Sequence, residues 1–394
     1  MSSAAHPATT RLDALLHTRA EANARYFDTE SKRVAQLCHR MAERFARGGR
    51  LLAFGASAAD QSDVRHVAVE FVHPVIVGKR ALPALGIEAS GVTLIAGRDD
   101  IAIAFGSGPD VEAGVAAARA AGCLTLAFAA VGAEHELPPP TDDEFVAQEL
   151  AETLYHVLWE LVHVFFEHRG LLEGRTGKVQ HDSGASSFLY PFLGEDESNL
   201  ASVLADVRAS ALAKAAEITA LRERTLTENA AQIGAAAEAL ADRLAAGGTL
   251  LALGNGGSAT DAMDVVADLR HPPAGRGLTP RRALDLTEDP AVLTAIANDV
   301  GHEAVFVRQI IAHARPGDAV LAISTSGGSA NVLAALAECR RRDILTVALV
   351  GYDGGRILAE GLADHVIVSR SEHIPRIQEA QATVLHALVE LVQR

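Results

Sequence analysis

A repeated segment constrains this chain more than any other feature. Residues 43–55 read ERFARGGRLLAFG, and residues 242–254 read DRLAAGGTLLALG. Each reads as the end of an amphipathic helix, a Gly-Gly stop, then a short apolar strand ending in Gly. The match continues: SDVRHVAVEF (62–71) aligns with TDAMDVVADL (260–269), one extra residue in the first glycine loop accounting for the change of offset. The ends of the two halves agree as well. Gln148 precedes His156 by eight positions in QELAETLYHVLWELV, and Gln378 precedes His386 by eight in QEAQATVLHALVELV. A repeat of this length means two copies of one domain in tandem.

Within each copy, helices alternate with short apolar strands. That alternation predicts an α/β fold, a parallel sheet between helices on both faces. Composition agrees. Hydrophobic residues make up 49% of the 394 positions but aromatics only 4%, so Ala, Leu and Val fill the core. The expected domains are 11–168 and 198–394, joined by a Gly-, Ser- and charge-rich linker at 169–197. One long helix over about 198–246 is expected to open the second copy.

Charge and cysteine usage exclude several classes. A net charge of −15 repels the nucleic-acid backbone, so direct nucleic-acid binding is not expected. Cys38, Cys123 and Cys339 are widely spaced and form no disulfide framework. The start, MSSAAHPATTRLD, lacks the apolar core of a signal peptide. No uncharged apolar run reaches the ~20 residues a membrane span needs. These features predict a cytoplasmic protein.

Two loops in the second copy suit an anion. AVLAIS (319–324) is an apolar strand that runs into TSGGSAN (325–331) and then a helix. Hydroxyls and backbone N–H groups at a strand-to-helix turn face a phosphate with the positive end of a helix dipole. Ser324, Thr325, Ser326 and Ser329 are the candidate donors. An ordinary Ser/Gly turn with an N-cap uses the same residue types. A second glycine loop, GNGGSATD (254–261), also follows a strand and opens a helix. In a parallel sheet both loops project from one carboxyl edge, where ligands bind. The first copy's counterpart, DIAIAFGSGPDVEAG (100–114), keeps Ser107 but loses the hydroxyl cluster. It is predicted to hold phosphate weakly or not at all. It also lacks a stretch equivalent to 289–310.

The first copy carries a different constellation. His66 and Glu70 are four apart and share a helical face; Gln148 and His156, eight apart, share another. Two imidazoles, a carboxylate and an amide oxygen suit a four-coordinate divalent ion, zinc being the natural candidate. Glu70 and His156 also suit a metal-free base and acid pair. In the second copy the same positions read Asp264, Asp268, Gln378 and His386. That set is compatible with a harder ion, a water-filled gap or no metal.

The order GNGGSATDAM, LTAIANDVGHEAVF, RPGDAVLAISTSGGSANVLAAL, RIQEAQATVLHALVELV resembles the phosphoheptose isomerases, a family of the sugar isomerase (SIS) domain superfamily. The likeness covers nearly all of residues 200–394. Residues 11–168 look like a diverged copy, with GKRALPALGI (78–87) resembling the family's second strand. The resemblance implies two tandem SIS domains, each a five-stranded parallel sheet flanked by helices in a Rossmann-like three-layer sandwich. It implies aldose–ketose isomerisation of a phosphorylated sugar and usually a tetramer. The family's phosphate loop falls on Ser324, Thr325, Ser326 and Ser329, and its glycine-loop contacts fall on Asn255 and Ser258. Its metal ligands fall on His66, Glu70, Gln148 and His156, with Glu70 as base and His156 as acid. The family's His and Glu have become Asp264 and Asp268 in the second copy. The losses are complementary, so the expectation is a composite active site: phosphate binding from the second copy, metal and acid–base groups from the first. A homodimer would rebuild the tetramer of domains. The rival expectation is a non-catalytic sugar-phosphate-binding regulator or scaffold. Residues around Asp285, Asp289 and Asn298 are expected to shape the choice of sugar.

Overall fold

The computed structural model describes residues 7–76, 79–167, 171–172 and 199–392. The expected linker at 169–197 lies, but for two residues, outside the described residues, as does Gly78. The chain divides into two units, residues 21–216 and residues 1–20 with 217–394. They are called the N-terminal and C-terminal units below.

The N-terminal unit contains most of α1 (Pro7–Ala46), then β1 (Leu51–Gly55), α2 (Ala58–Val72), β2 (Ala84–Glu88) and the short α3 (Val92–Ile95). β3 (Ile101–Ala104), α4 (Pro109–Ala121), β4 (Leu124–Ala127), β5 (His135–Glu136) and α5 (Glu144–Glu167) follow. Its five strands are all parallel, in the order β2-β1-β3-β4-β5. Alternate strand residues feed two cores. Leu51, Ala53, Ile101, Ile103, Leu124 and Leu126 face one side, with Leu154 and Leu158 of α5. Phe54, Ala102 and Ala104 face the other, with Val111 and Val115 of α4. Burial on both faces is why these strands are runs of Leu, Ile and Ala rather than alternating patterns.

The chain continues through α6 (Leu200–Glu228), inside which the cut between units falls, and α7 (Ala230–Ala245). The C-terminal unit then has β6 (Leu250–Leu253), α8 (Gly257–Arg270), β7 (Ala283–Asp285), α9 (Pro290–Asp299) and α10 (Val305–His313). β8 (Ala319–Ser324), α11 (Ala330–Arg341), β9 (Leu345–Gly351), α12 (Gly355–Ala359), β10 (His365–Ser369) and α13 (Ile374–Leu391) complete it. Its sheet, also parallel, runs β10-β9-β8-β6-β7. Read from the second strand of each unit, the two orders are the same.

The repeat extends to atomic detail. Gly48 and Gly247, at φ +90° and +87°, end the helices that precede β1 and β6. The glycines after them let the chain graze a neighbouring carbonyl. A Cβ on Gly49 would lie 1.9 Å from the oxygen of Asp99, and one on Gly248 would lie 2.3 Å from that of Gly317. An aspartate then accepts the next backbone N–H in each copy, Arg50 to Asp100 and Thr249 to Asp318, both at 2.8 Å.

One local departure has a physical cause. The single helix expected over 198–246 breaks at Asn229, whose side chain leaves the helical pattern to pair with a strand. Asn229 Nδ2 donates to the Val368 carbonyl at 3.1 Å, and its Oδ1 accepts the Val368 N–H at 3.0 Å. The amide thus completes hydrogen bonding at the edge strand β10. The insertion expected at 289–310 is α9, a 3₁₀ turn over His302–Ala304, and α10. The N-terminal unit spans the same connection with a 3₁₀ turn and α3 alone.

Candidate active site

In both units the chain order reverses between the first and third strands. Loops at that point open a crevice at the carboxyl edge of the sheet. In the C-terminal unit the two loops are 254–257, after β6, and 325–329, after β8.

The 325–329 loop is held rigidly. The Thr325 carbonyl accepts from Gly351 N–H at 2.9 Å, and the Gly327 carbonyl accepts from Ile357 N–H at 3.1 Å. Gly327 has φ +57°, and a Cβ there would lie 2.4 Å from the Gly354 oxygen, so only glycine fits. Ser329 occupies the N-cap position of α11, yet its side chain makes no capping bond. Its hydroxyl faces that of Ser324 at 3.4 Å instead. Ser326 Oγ accepts the Gly328 N–H at 3.2 Å. An N-cap hydroxyl turned away from its helix is not explained by capping; it adds a donor where an anion would meet the N-terminus of α11.

The two loops are tied by a side-chain pair. Asn255 Nδ2 donates to Asn331 Oδ1 at 3.0 Å, and Asn331 Nδ2 donates to Asn255 Oδ1 at 2.8 Å. His302 Nε2, from the insertion, lies 3.3 Å from Asn331 Nδ2. Sequence reasoning named Asn255 but missed Asn331 and His302. Asn331 lay hidden as the last letter of the loop motif. Ser258 is buried at the start of α8.

Of the residues expected to select the sugar, Asp285 is buried at the end of β7. Its Oδ1 accepts from both the backbone and the hydroxyl of Thr287 at 2.7 Å. Burial raises its carboxyl above the usual range, against the pull of those Thr287 bonds. Asp289 is the N-cap of α9, accepting from Ala291 and Val292. Asn298 is exposed and donates to Asp299.

The corresponding loops of the N-terminal unit are shaped differently. Asp60, aligned with Ser258, accepts the N–H groups of Ala56 and Ser57 at 3.1 and 2.8 Å. Ser57 and Asp60 form a capping box on α2. The carboxylate lies directly under Gly106, after β3, where an added Cβ would be 2.4 Å from it. The chain's own anion therefore occupies this crevice. Pro109 begins α4, and Gly108 at its N-cap offers no hydroxyl.

The N-terminal unit gathers the second predicted constellation. His66 and Glu70 on α2 meet His156 on α5, and all three are buried. His66 Nε2 is 3.4 Å from His156 Nε2 and 3.8 Å from Glu70 Oε1. Burial, and then the His156 imidazole, hold the His66 ring well below the usual histidine range, in its neutral ligating form. Gln148 lies two turns before His156 on α5, with Nε2 donating to Ser62 Oγ at 3.4 Å. Zinc–nitrogen bonds of 2.0–2.1 Å in a tetrahedron put two ligand nitrogens about 3.3–3.4 Å apart. The imidazole spacing matches that edge, so the two imidazoles suit such an ion.

Three neighbours were not foreseen. Tyr155 Oη donates to Asp63 Oδ1 at 3.2 Å, and its ring packs edge-on against both histidines. Glu152 places Oε1 3.9 Å from His66 Nδ1. A stripe at 148, 152 and 156 on one helical face was the available signal. The C-terminal unit gathers its own set: His386 Nε2 lies 3.4 Å from Asp264 Oδ2 and 3.7 Å from Asp268 Oδ2. Gln378 is buried on the same helix as His386. Among the described residues, no helix is long and apolar enough to cross a membrane.

Residues 215–351, which hold both loops, match the SIS domain family model. The chain is 40% identical to a phosphoheptose isomerase of Citrifermentans bemidjiense over 195 residues, 49% of this chain and 96% of the relative. It is 45% identical to that of Geobacter sulfurreducens over 170 residues, 42% of this chain and 87% of the relative. The C-terminal domain of glucosamine-fructose-6-phosphate aminotransferase from Francisella tularensis shares the fold at 10% identity and a TM-score of 0.60, covering 100% of this chain and 97% of that one. The chain belongs to the phosphoheptose isomerase family of SIS-domain proteins. Its fold is two tandem α/β SIS domains.

Proposed function

We propose that this chain is an aldose–ketose isomerase acting on sedoheptulose 7-phosphate or a similar phosphorylated sugar. The observation that carries the reading is the division of residues between the units. The C-terminal unit has a rigid loop of four hydroxyls at a helix N-terminus. The N-terminal unit has a buried imidazole–carboxylate–imidazole cluster and a crevice already filled by Asp60.

Each group has a task that suits its chemistry. Ser324, Thr325, Ser326 and Ser329 hold the phosphate, with Asn255 and Ser258 on the sugar side. Glu70 moves a proton between C1 and C2, and His156 protonates the carbonyl oxygen as the enediol forms. His66, Glu70, Gln148 and His156 would hold zinc. Bound zinc supplies Lewis-acid polarisation of the carbonyl and stabilises negative charge on the enediolate. Asp264, Asp268, Gln378 and His386 form a weaker, oxygen-rich set. Asp264 and Asp268 are shorter than the His and Glu they replace, so proton transfer is assigned to the N-terminal unit. The working form is proposed to be a cytoplasmic homodimer with four SIS domains.

The rival is a non-catalytic sugar-phosphate binder, favoured by the loss of His and Glu at 264 and 268. Solvent exchange separates the two. An enediol intermediate lets a C1 proton of sedoheptulose 7-phosphate exchange with deuterated water, followed by proton NMR. Protein-dependent exchange is expected; saturable binding with no exchange overturns the isomerase reading.

A further inference from the structure

The two ring nitrogens of His66 face different surroundings. Nε2 points into the cluster with His156 and Glu70. Nδ1 lies 3.9 Å from Glu152 Oε1 on α5. A neutral imidazole carries one proton. If Nε2 is to bind a metal ion, that proton must be on Nδ1, and an acceptor beside Nδ1 stabilises the ligating tautomer and fixes the ring. Glu152 needs to approach by about 1 Å to accept that hydrogen bond. Its side chain is 5% exposed.

The internal repeat supplies an independent observation. With Gln148 aligned to Gln378 and His156 to His386, Glu152 aligns with Ala382. With the first helices aligned, His66 corresponds to Asp264. The copy that has the imidazole has the carboxylate behind it. The copy whose imidazole is replaced has lost that carboxylate too. A glutamate kept only for solvation or helix stability has no reason to follow residue 66 in this way.

We propose that Glu152 is a positioning residue for metal binding, holding His66 with its proton on Nδ1 and its Nε2 lone pair toward the cluster. It acts through His66 and is not itself a ligand. The inference rests on the proposed zinc site. The test is zinc affinity of the full chain, by competition with a chromophoric chelator, for wild type, Glu152→Gln and Glu152→Ala. Thermal unfolding of the zinc-free forms is measured alongside. The expected result is a roughly 10–100-fold loss of affinity in Glu152→Ala. Glu152→Gln, which keeps an acceptor oxygen without the charge, should lose less, with its zinc-free melting temperature close to that of wild type. A merely structural glutamate would shift the zinc-free melting temperature and leave affinity unchanged. If wild type binds zinc and Glu152→Gln and a folded Glu152→Ala bind it equally well, this inference fails while the metal site stands. If wild type binds no zinc, both fail.

Discussion

His66 Nε2 and His156 Nε2, brought together from helices ninety residues apart in sequence, lie 3.4 Å from one another in a buried pocket of the N-terminal unit. Glu70 closes the group at 3.8 Å. Elemental analysis of the purified protein should therefore find a transition metal bound in stoichiometric amount. His66→Ala and His156→Ala should each remove most of it. Wild type free of metal after purification without chelators, and unable to take up zinc, would contradict this.

The phosphate loop should act mainly on binding. Ser324→Ala removes the hydroxyl facing Ser329 and one donor to a dianion. A hydrogen bond to a charged group contributes about 1.5–3 kcal/mol, or roughly 10–150-fold in affinity. Calorimetric titration with a sugar phosphate should show a loss of that order, with little change in melting temperature. Ser107→Ala, in the crevice filled by Asp60, should change affinity little.

Gly106 and Asp60 should be energetically coupled. Gly106 has φ +70°, and a Cβ there would be 2.4 Å from the Asp60 carboxylate. Gly106→Ala should cost at least about 1–2 kcal/mol from the left-handed backbone alone. The clash adds to it. In an Asp60→Ala background the clash is gone, so the same substitution should cost less. Denaturant midpoints of the four proteins measure the difference; equal costs in both backgrounds would refute the contact.

Stability should fall on the acid side. Burial is the first cause holding both His66 and His163 below the usual imidazole range. At His163 the Trp159 carbonyl, 2.8 Å from Nδ1, and the Arg80 carbonyl, 3.0 Å from Nε2, pull the other way without cancelling burial. Each depressed histidine takes its proton more readily in the unfolded chain. Its contribution is present above the unfolded value of about 6.5 and is lost as pH falls from there toward the folded value. Zinc-free protein should show a lower denaturant midpoint at about pH 5.5 than at about pH 7.5. His163→Gln should flatten the dependence. An unchanged or higher midpoint in acid would contradict the burial argument.

The features legible in the sequence were those with a period or a repeat. Helices and strands followed from apolar runs and Gly-Gly stops, and the eight-residue spacing placed Gln148 and His156 on one face of α5. What remained hidden depended on tertiary partners. Asn229 reads as one more helical residue until Val368 lies beside it. Asp60 reads as a capping-box carboxylate, and only its contact with Gly106 shows that it fills a crevice. Glu152 reads as a solvated helix glutamate until α2 brings His66 against it. The capping of α9 by Asp289 needs the helix boundary to be seen.

The most direct test of the central claim is the rate of sedoheptulose 7-phosphate isomerisation by wild type, His156→Ala and Ser326→Ala. The division of labour predicts turnover by wild type and a kcat reduced by roughly 10²–10⁴ in His156→Ala, where the acid is lost. It predicts a raised KM in Ser326→Ala, where phosphate binding is weakened. No turnover by wild type on this or a related sugar phosphate, or full turnover by either variant, would contradict it.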